Sequence, residues 1–139
     1  MSKVHTAPFA QAARIQTAVA TAAVTGLATN TPTGTVALLT AGAEGCIVTR
    51  ITAIPRATVT ASSLVLFLVK SGAPTVYHLI DSELMAAHTV AATTAIPETT
   101  FGNISDSTPL RLDAGDTLHV GSQVALAAGI VFTAQWMDY

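Results

Sequence analysis

The sequence has 139 residues, a length typical of one domain, and a formal net charge of −2. Half of the residues are hydrophobic and only 10% are charged, whereas an ordinary soluble domain has about 25% charged residues. The six Lys and Arg residues are scattered along the chain and form no basic stripe for phosphates, which disfavours a nucleic-acid partner. A chain with so little charge must either enter a membrane or cover its surface by assembly.

The composition of the longest uncharged stretch disfavours a membrane span. No Asp, Glu, Lys or Arg occurs between Ile15 and Ala43, but several threonines and Pro32 and Gly34 divide this stretch into polar, turn-prone pieces. The first residues also lack the apolar segment of a secretory signal peptide. We therefore expect no membrane span and no export signal, and we expect the protein to act within an assembly.

The first 29 residues are predicted to form an N-terminal arm and a first strand, and residues 30–139 the body of the same domain. Residues 6–15 fit either a short helix or an extended arm, because a threonine and Pro8 stand where a helix would begin. Residues 17–24 lack a bulky helical face and are rich in Thr, which favours a strand. We expect the arm, residues 1–14, to make its contacts outside its own domain body.

The rest of the chain shows the alternation and the turn spacing of short β-strands. Residues 130–139 alternate, with Ile130, Phe132 and Trp136 on one face. Residues 63–70 are apolar on both faces and predict a central strand, with residues 75–81 as its partner. Further strands are predicted at residues 35–40, 46–54, 57–61, 94–101, 108–112 and 117–121. These segments predict an all-β, antiparallel β-sandwich of about eight strands.

A nine-residue segment, Leu112-Asp113-Ala114-Gly115-Asp116-Thr117-Leu118-His119-Val120, places a tight turn before a strand. The turn needs the conformational freedom of glycine. The pattern resembles the turn before a late strand in jelly-roll domains of the tumour-necrosis-factor and C1q type. This resemblance implies a jelly-roll-like sandwich that assembles as a compact homotrimer.

A broader resemblance begins at Cys46 and covers the rest of the chain. Its segments are Thr49-Arg50-Ile51-Thr52-Ala53, the apolar strand from Leu64, Leu110-Arg111-Leu112, Ala127-Ala128-Gly129-Ile130-Val131-Phe132-Thr133-Ala134 and Asp138-Tyr139. This order is similar to that of small virion proteins of tailed bacteriophages and prophages. It implies a capsid decoration or cement protein, made in the host cytoplasm and located on the capsid surface of the virion. Its partners would be copies of itself and the major capsid protein or another virion protein.

The alternative is a tail- or fibre-associated binding module that recognises a host-surface glycan. A sugar binder needs exposed aromatic side chains, but the chain has only one Trp, two Tyr and four Phe, and most of them lie within predicted strands. This shortage favours the structural role.

No residue pattern in the sequence points to catalysis. The histidines, His5, His78, His88 and His119, lack the spacing of metal ligands, and motifs for a serine nucleophile or a phosphate loop are absent. A lone cysteine in an apolar segment, as Cys46 is, is typical of a buried hydrophobe. We therefore expect no enzyme activity, no cofactor and no metal.

Candidate interface residues lie in the arm and at the last strand: Val4, Phe9, Arg14, Trp136 and Tyr139. For Trp136 a second interpretation is core packing, because it shares a face with Ile130 and Phe132. For Tyr139 both interpretations stay open.

Overall fold

The computed structural model describes residues 12–139, and these residues form two antiparallel β-sheets and no helix. Nine strands follow one another along the chain: β1 (Ala12–Ala20), β2 (Val36–Thr40), β3 (Cys46–Pro55), β4 (Ser62–Val69), β5 (His78–Met85), β6 (Thr99–Thr100), β7 (Leu110–Leu112), β8 (Thr117–Ser122) and β9 (Ile130–Asp138). Within the described range, no helix of the length and hydrophobicity of a membrane span occurs.

The two sheets have the strand order of a jelly roll. One sheet, here called sheet A, runs β1-β9-β3, and β3 then pairs with both β6 and β7. The other, sheet B, runs β2-β8-β4-β5. If β6 and β7 are counted as two pieces of one interrupted strand, the sandwich has the eight strands of a jelly roll. The prediction of an all-β antiparallel sandwich is therefore confirmed.

The core lies between the two sheets and is filled by the alternate, inward-pointing residues of their strands. From sheet A it receives Val48, Ile51, Phe132, Ala134 and Trp136, and from sheet B it receives Leu38, Leu64, Leu66, Leu118 and Val120. The alternation in the last predicted strand holds, because the even-numbered residues of β9 from Ile130 to Trp136 are all buried. The period of two therefore fixes the register of β9 against the core.

A second, smaller cluster covers the outer face of sheet B. Val65 and Phe67 point away from the main core, and Val24 buries them together with the half-buried Leu27 and Tyr77. The chain between β1 and β2 is held there by hydrogen bonds from Val24 N to Ser122 O (2.8 Å) and from Tyr77 N to Asn30 O (2.9 Å). The protein's own chain therefore covers the outer face of sheet B over β4, which explains why β4 is apolar on both faces. At the β5 edge of the same face, Leu79 and Leu84 stay exposed.

Several predicted strands have different bounds in the structure. The partner of β4 was expected at residues 75–81, but β5 begins at His78 and continues to Met85. The prediction of a strand at residues 57–61 is wrong, because only Val59 pairs there, in an isolated bridge with His88. Of residues 94–101 only Thr99 and Thr100 are in a strand.

The N-terminal prediction falls partly outside the described residues. Residues 1–11 of the expected arm are outside them, and so is most of the segment for which a short helix was considered. The last three residues of the expected arm, 12–14, belong to β1 and pair with β9. The strand expected at residues 17–24 ends at Ala20, after which Ala23 makes only an isolated bridge to Ser122.

Candidate interaction surface

The outer face of sheet A, here called the open face, is formed by the outward side chains of β1, β9 and β3. In register across these strands, Val19 lies beside Val131 and Val131 beside Ile54. The next row is entirely threonine, from Thr17 through Thr133 and Thr52 to Thr100 on β6. The two remaining rows are Ile15, Gln135, Arg50 and then Ala13, Met137, Ile47, Arg111. This face is therefore a surface of aliphatic and hydroxyl groups.

Large apolar side chains on the open face are accessible to solvent. Ile15 is 67% exposed, and Val19, Ile54 and Met137 are each more than a third exposed. The solvent side of an antiparallel sheet normally carries polar residues in alternation with the buried ones. The open face departs from this pattern. On the outer face of sheet B the segment around Val24 covers β4, and the exposed apolar side chains, Leu79 and Leu84, belong to the edge strand β5.

The charges on the open face are few and already engaged. Arg50 donates from Nη2 to Oε1 of Glu98 at 2.5 Å, so this pair adds no net charge. Arg111 donates from Nη1 to the hydroxyl of Tyr139 at 2.9 Å and lies over its ring. The Arg50–Glu98 pair can be buried as it stands, whereas Arg111 has no carboxylate partner among the described residues, so a protein that covers it must supply an acceptor.

Two of the five predicted interface residues meet at Asp138, at the end of β9. Arg14 donates from Nε to Oδ2 of Asp138, and the indole Nε1 of Trp136 donates to Oδ1, each at 3.2 Å. The backbone N–H of Gly42 also donates to Oδ1, at 3.3 Å. Asp138 therefore ties β1 and the loop after β2 to β9.

The predicted interface residues differ in their accessibility. Trp136 is only 7% exposed and packs in the main core, so its contacts lie within the chain. Arg14 is exposed, and Tyr139 is half-buried against Arg111. Val4 and Phe9 lie outside the described residues.

A buried carboxylate, Asp116, holds the turns at one end of the sandwich. Its Oδ1 accepts from Ser71 N at 3.1 Å, and its Oδ2 accepts from Lys70 Nζ at 2.6 Å and from Asp113 N at 3.1 Å. Burial alone would raise the pKa of Asp116, but these three donors together hold the pKa below its ordinary value. Because every donor comes from the two turns that Asp116 joins, this arrangement is structural.

The other titratable groups are also explained by packing. Burial, together with the charges of Asp138 and Asp116, raises the pKa of the Cys46 thiol to about 12, which keeps it protonated and unreactive. The ring of His119 packs against that of Tyr77, with the centroids 4.8 Å apart and the planes tilted by 59°, and burial lowers the pKa of His119. Across residues 12–139, His, Cys, Asp and Glu side chains form no group of three or more that could hold a metal ion.

A cleft of about 300 Å³ opens beside β5 and β6, and its lining includes Glu83, His88 and Glu98. Apart from the imidazole of His88, no aromatic ring lines the cleft. A stacking platform of the kind expected for a glycan is therefore not formed there by the described residues.

Sequence reasoning missed the open face, although the residues that form it were visible as strands. Thr17, Thr52 and Thr133 are far apart in the chain, and they become neighbours only through the order in which β1, β9 and β3 pair. The one usable signal was the low charge of the chain, which indicates that some surface must be covered but not which one.

Comparison with known proteins adds no relative. No family model matches the sequence, and no curated protein or solved structure is detectably similar to it.

Proposed function

We propose that this protein is a structural component of a bacteriophage particle, a decoration or cement protein that associates with copies of itself and with the major capsid protein. In this role it bridges neighbouring capsid subunits on the surface of the virion. Binding only to the assembled shell would stabilise the shell by mass action.

The main support is the contrast between the two outer faces of the sandwich. On sheet B, Val24, Leu27 and Tyr77 cover β4, and the exposed apolar side chains lie on the edge strand β5, whereas the open face presents Ile15, Ile54 and Met137 from all three of its long strands. Exposed aliphatic side chains with few charges around them suit burial against a protein surface. The phage context of the proposal comes from the resemblance of the segments from Cys46 onward to small virion proteins, and the homotrimer from the resemblance of the Ala-Gly-Asp turn to jelly-roll domains.

The aromatic side chains of the described residues favour this role over glycan recognition. Trp136 and Phe132 are in the core, Phe67 is covered by Tyr77, and Tyr139 lies against Arg111. Every Phe, Tyr and Trp side chain in residues 12–139 is buried or half-buried. A sugar-stacking platform would require at least one aromatic face open to solvent.

The test is to purify particles from cells that produce this protein and to measure the bound protein by quantitative mass spectrometry. Ile54→Lys and Met137→Lys each place a charge on the open face, so we expect them to reduce the number of copies per particle at least tenfold. Leu84→Lys is the matched control, because Leu84 is an apolar side chain of sheet B that is 69% exposed. This variant should bind as the wild type does.

Two outcomes would contradict the proposal. One is the absence of the wild-type protein from purified particles. The other is unchanged binding by both open-face variants when circular dichroism shows that they are folded. Retention of the protein on an immobilised host glycan, with none on capsids, would favour the tail or fibre module instead.

A further inference from the structure

The sheets formed by residues 12–139 have four edges, and three of them carry features that prevent pairing with another strand. β2 is five residues long and has a register shift between Ala37 and Leu39. β5 has a register irregularity and points two acids inward, Asp81 and Glu83. β6 and β7 are two and three residues long. Short strands, bulges and inward charges are the usual means by which proteins block edge-to-edge association.

The fourth edge, β1, is long and regular. Its nine residues pair with β9 from Ala12↔Asp138 to Ala20↔Ile130 without any register shift. The strand contains no proline and one charged residue, Arg14, and most of its side chains are exposed on both faces. Such an edge presents a continuous row of backbone donors and acceptors to another strand.

We propose that β1 pairs antiparallel with β1 of a second copy, about a two-fold axis at Gln16, the midpoint of the strand. A second copy is the fitting occupant because pairing with any other edge of the same protein is blocked by the features above. The proposal rests on the self-association in the proposed function and adds a two-fold contact to it; if the chain also forms the homotrimer, this contact joins two trimers.

The sequence of β1 is compatible with this self-pairing over its full length. A two-fold axis at Gln16 places Arg14 opposite Ala18 of the second copy, so no like charges face each other. The same axis places Ile15 opposite Thr17 of the second copy, and it joins the two open faces into one continuous sheet surface. Pairing therefore brings Ile15, the most exposed apolar side chain of the open face, into lateral contact with Thr17 of the second copy and satisfies the backbone of both edges.

The geometry predicts a specific disulfide. Directly opposed residues in an antiparallel pair have Cα atoms about 4.5 to 5.5 Å apart, which is within the range that a disulfide spans. Gln16→Cys should therefore cross-link to its own counterpart under mild oxidation, with at least tenfold more dimer than the control. Gln135→Cys is that control. Gln135 lies on β9, and the two β9 strands are about 14 Å apart across the two paired β1 strands, which is too far for a disulfide. The native Cys46 is buried and should not interfere.

A second variant tests the contact without cross-linking. Gln16→Lys places two like charges opposite each other at the axis. We expect light scattering to give the wild type a mass that is an even multiple of the 14.2 kDa chain and to give Gln16→Lys half that mass. Gln135→Lys should keep the wild-type mass.

The outcomes distinguish this contact from the proposed function. A trimer without a Gln16→Cys cross-link would overturn the β1 pairing while leaving the virion role standing, since that role is read from purified particles. Equal cross-linking of Gln16→Cys and Gln135→Cys would also overturn the pairing. Rapid cross-linking of Gln16→Cys alone, in a protein that is absent from particles, would support the pairing and overturn the virion role.

Discussion

Two carboxylates bind the same lysine, and replacing each by its amide should have different effects on stability. Lys70 Nζ is 2.6 Å from Oδ2 of Asp113 and 2.6 Å from Oδ2 of Asp116. The side chain of Asp113 is 85% exposed, whereas that of Asp116 is 1% exposed and also accepts from two backbone N–H groups. Each variant therefore removes one carboxylate partner of Lys70. Asp113→Asn does so at an exposed position and Asp116→Asn at a buried one.

For Asp116→Asn we expect a loss of about 2 to 4 kcal/mol in the free energy of unfolding. Hydrogen bonds to a charged group contribute about 1.5 to 3 kcal/mol each, and the amide replaces one acceptor oxygen by a donor that faces another donor. For Asp113→Asn we expect less than about 1 kcal/mol, the usual range of an exposed ion pair. Chemical denaturation, monitored by tryptophan fluorescence, measures the loss of stability of both variants, because Trp136 lies in the core.

The pH dependence gives an independent check on this reasoning. Because the folded-state pKa of Asp116 is below its ordinary value, the stabilisation is full above about pH 4 and is lost as the pH falls through the folded-state pKa. The difference between wild type and Asp116→Asn should therefore shrink under acid conditions. Equal destabilisation by Asp113→Asn and Asp116→Asn at pH 7 would refute the assignment of Asp116 as the joint between the two turns.

Three further predictions concern packing. Burial lowers the pKa of His119, so the wild type should lose stability as the pH falls below about 6.5, and His119→Phe should flatten a thermal-melt profile between pH 7.5 and 5.5. A Cβ at Gly121 would lie 2.2 Å from Cγ2 of Val24, whereas one at Gly72 would meet nothing within 4 Å. In urea titration, Gly121→Ala should therefore lower the free energy of unfolding by about 1 to 3 kcal/mol, and Gly72→Ala should lower it much less. Cys46 is buried and its pKa is raised to about 12, so thiol labelling with a chromogenic disulfide should proceed at the rate of unfolding, and rapid labelling of the native protein would contradict this.

The sequence was sufficient to predict the fold class because the strands that build the core alternate clearly. β9 and β4 were both predicted from their apolar pattern, and the turn before β8 from its Ala-Gly-Asp segment, where Gly115 has a φ of 75°. The pattern failed where tertiary contacts replace regular pairing. Val59 makes only a bridge, and the apolar residues Leu79 and Leu84 of β5 point outward.

The candidate surface was beyond prediction for a different reason. Whether an apolar residue such as Phe67 or Ile15 is covered depends on which segment crosses the sheet above it. In this protein the segments that contain Val24 and Tyr77 pack on the outer face of sheet B. The pattern of residues within β4 contains no information about that packing. Similarly, the ion pair of Arg14 with Asp138 joins residues at opposite ends of the described chain.

The central position of β9 in sheet A has a consequence for biosynthesis. β9 pairs along its length with both β1 and β3, yet it is translated after every other strand of the sandwich. Until Ile130–Asp138 has left the ribosome, β1 and β3 lack the strand that joins them, while sheet B can already assemble from β2, β4, β5 and β8. Folding is therefore expected to finish in one late step, and a nascent chain stalled before Ile130 would expose unpaired strand edges to aggregation and to chaperones.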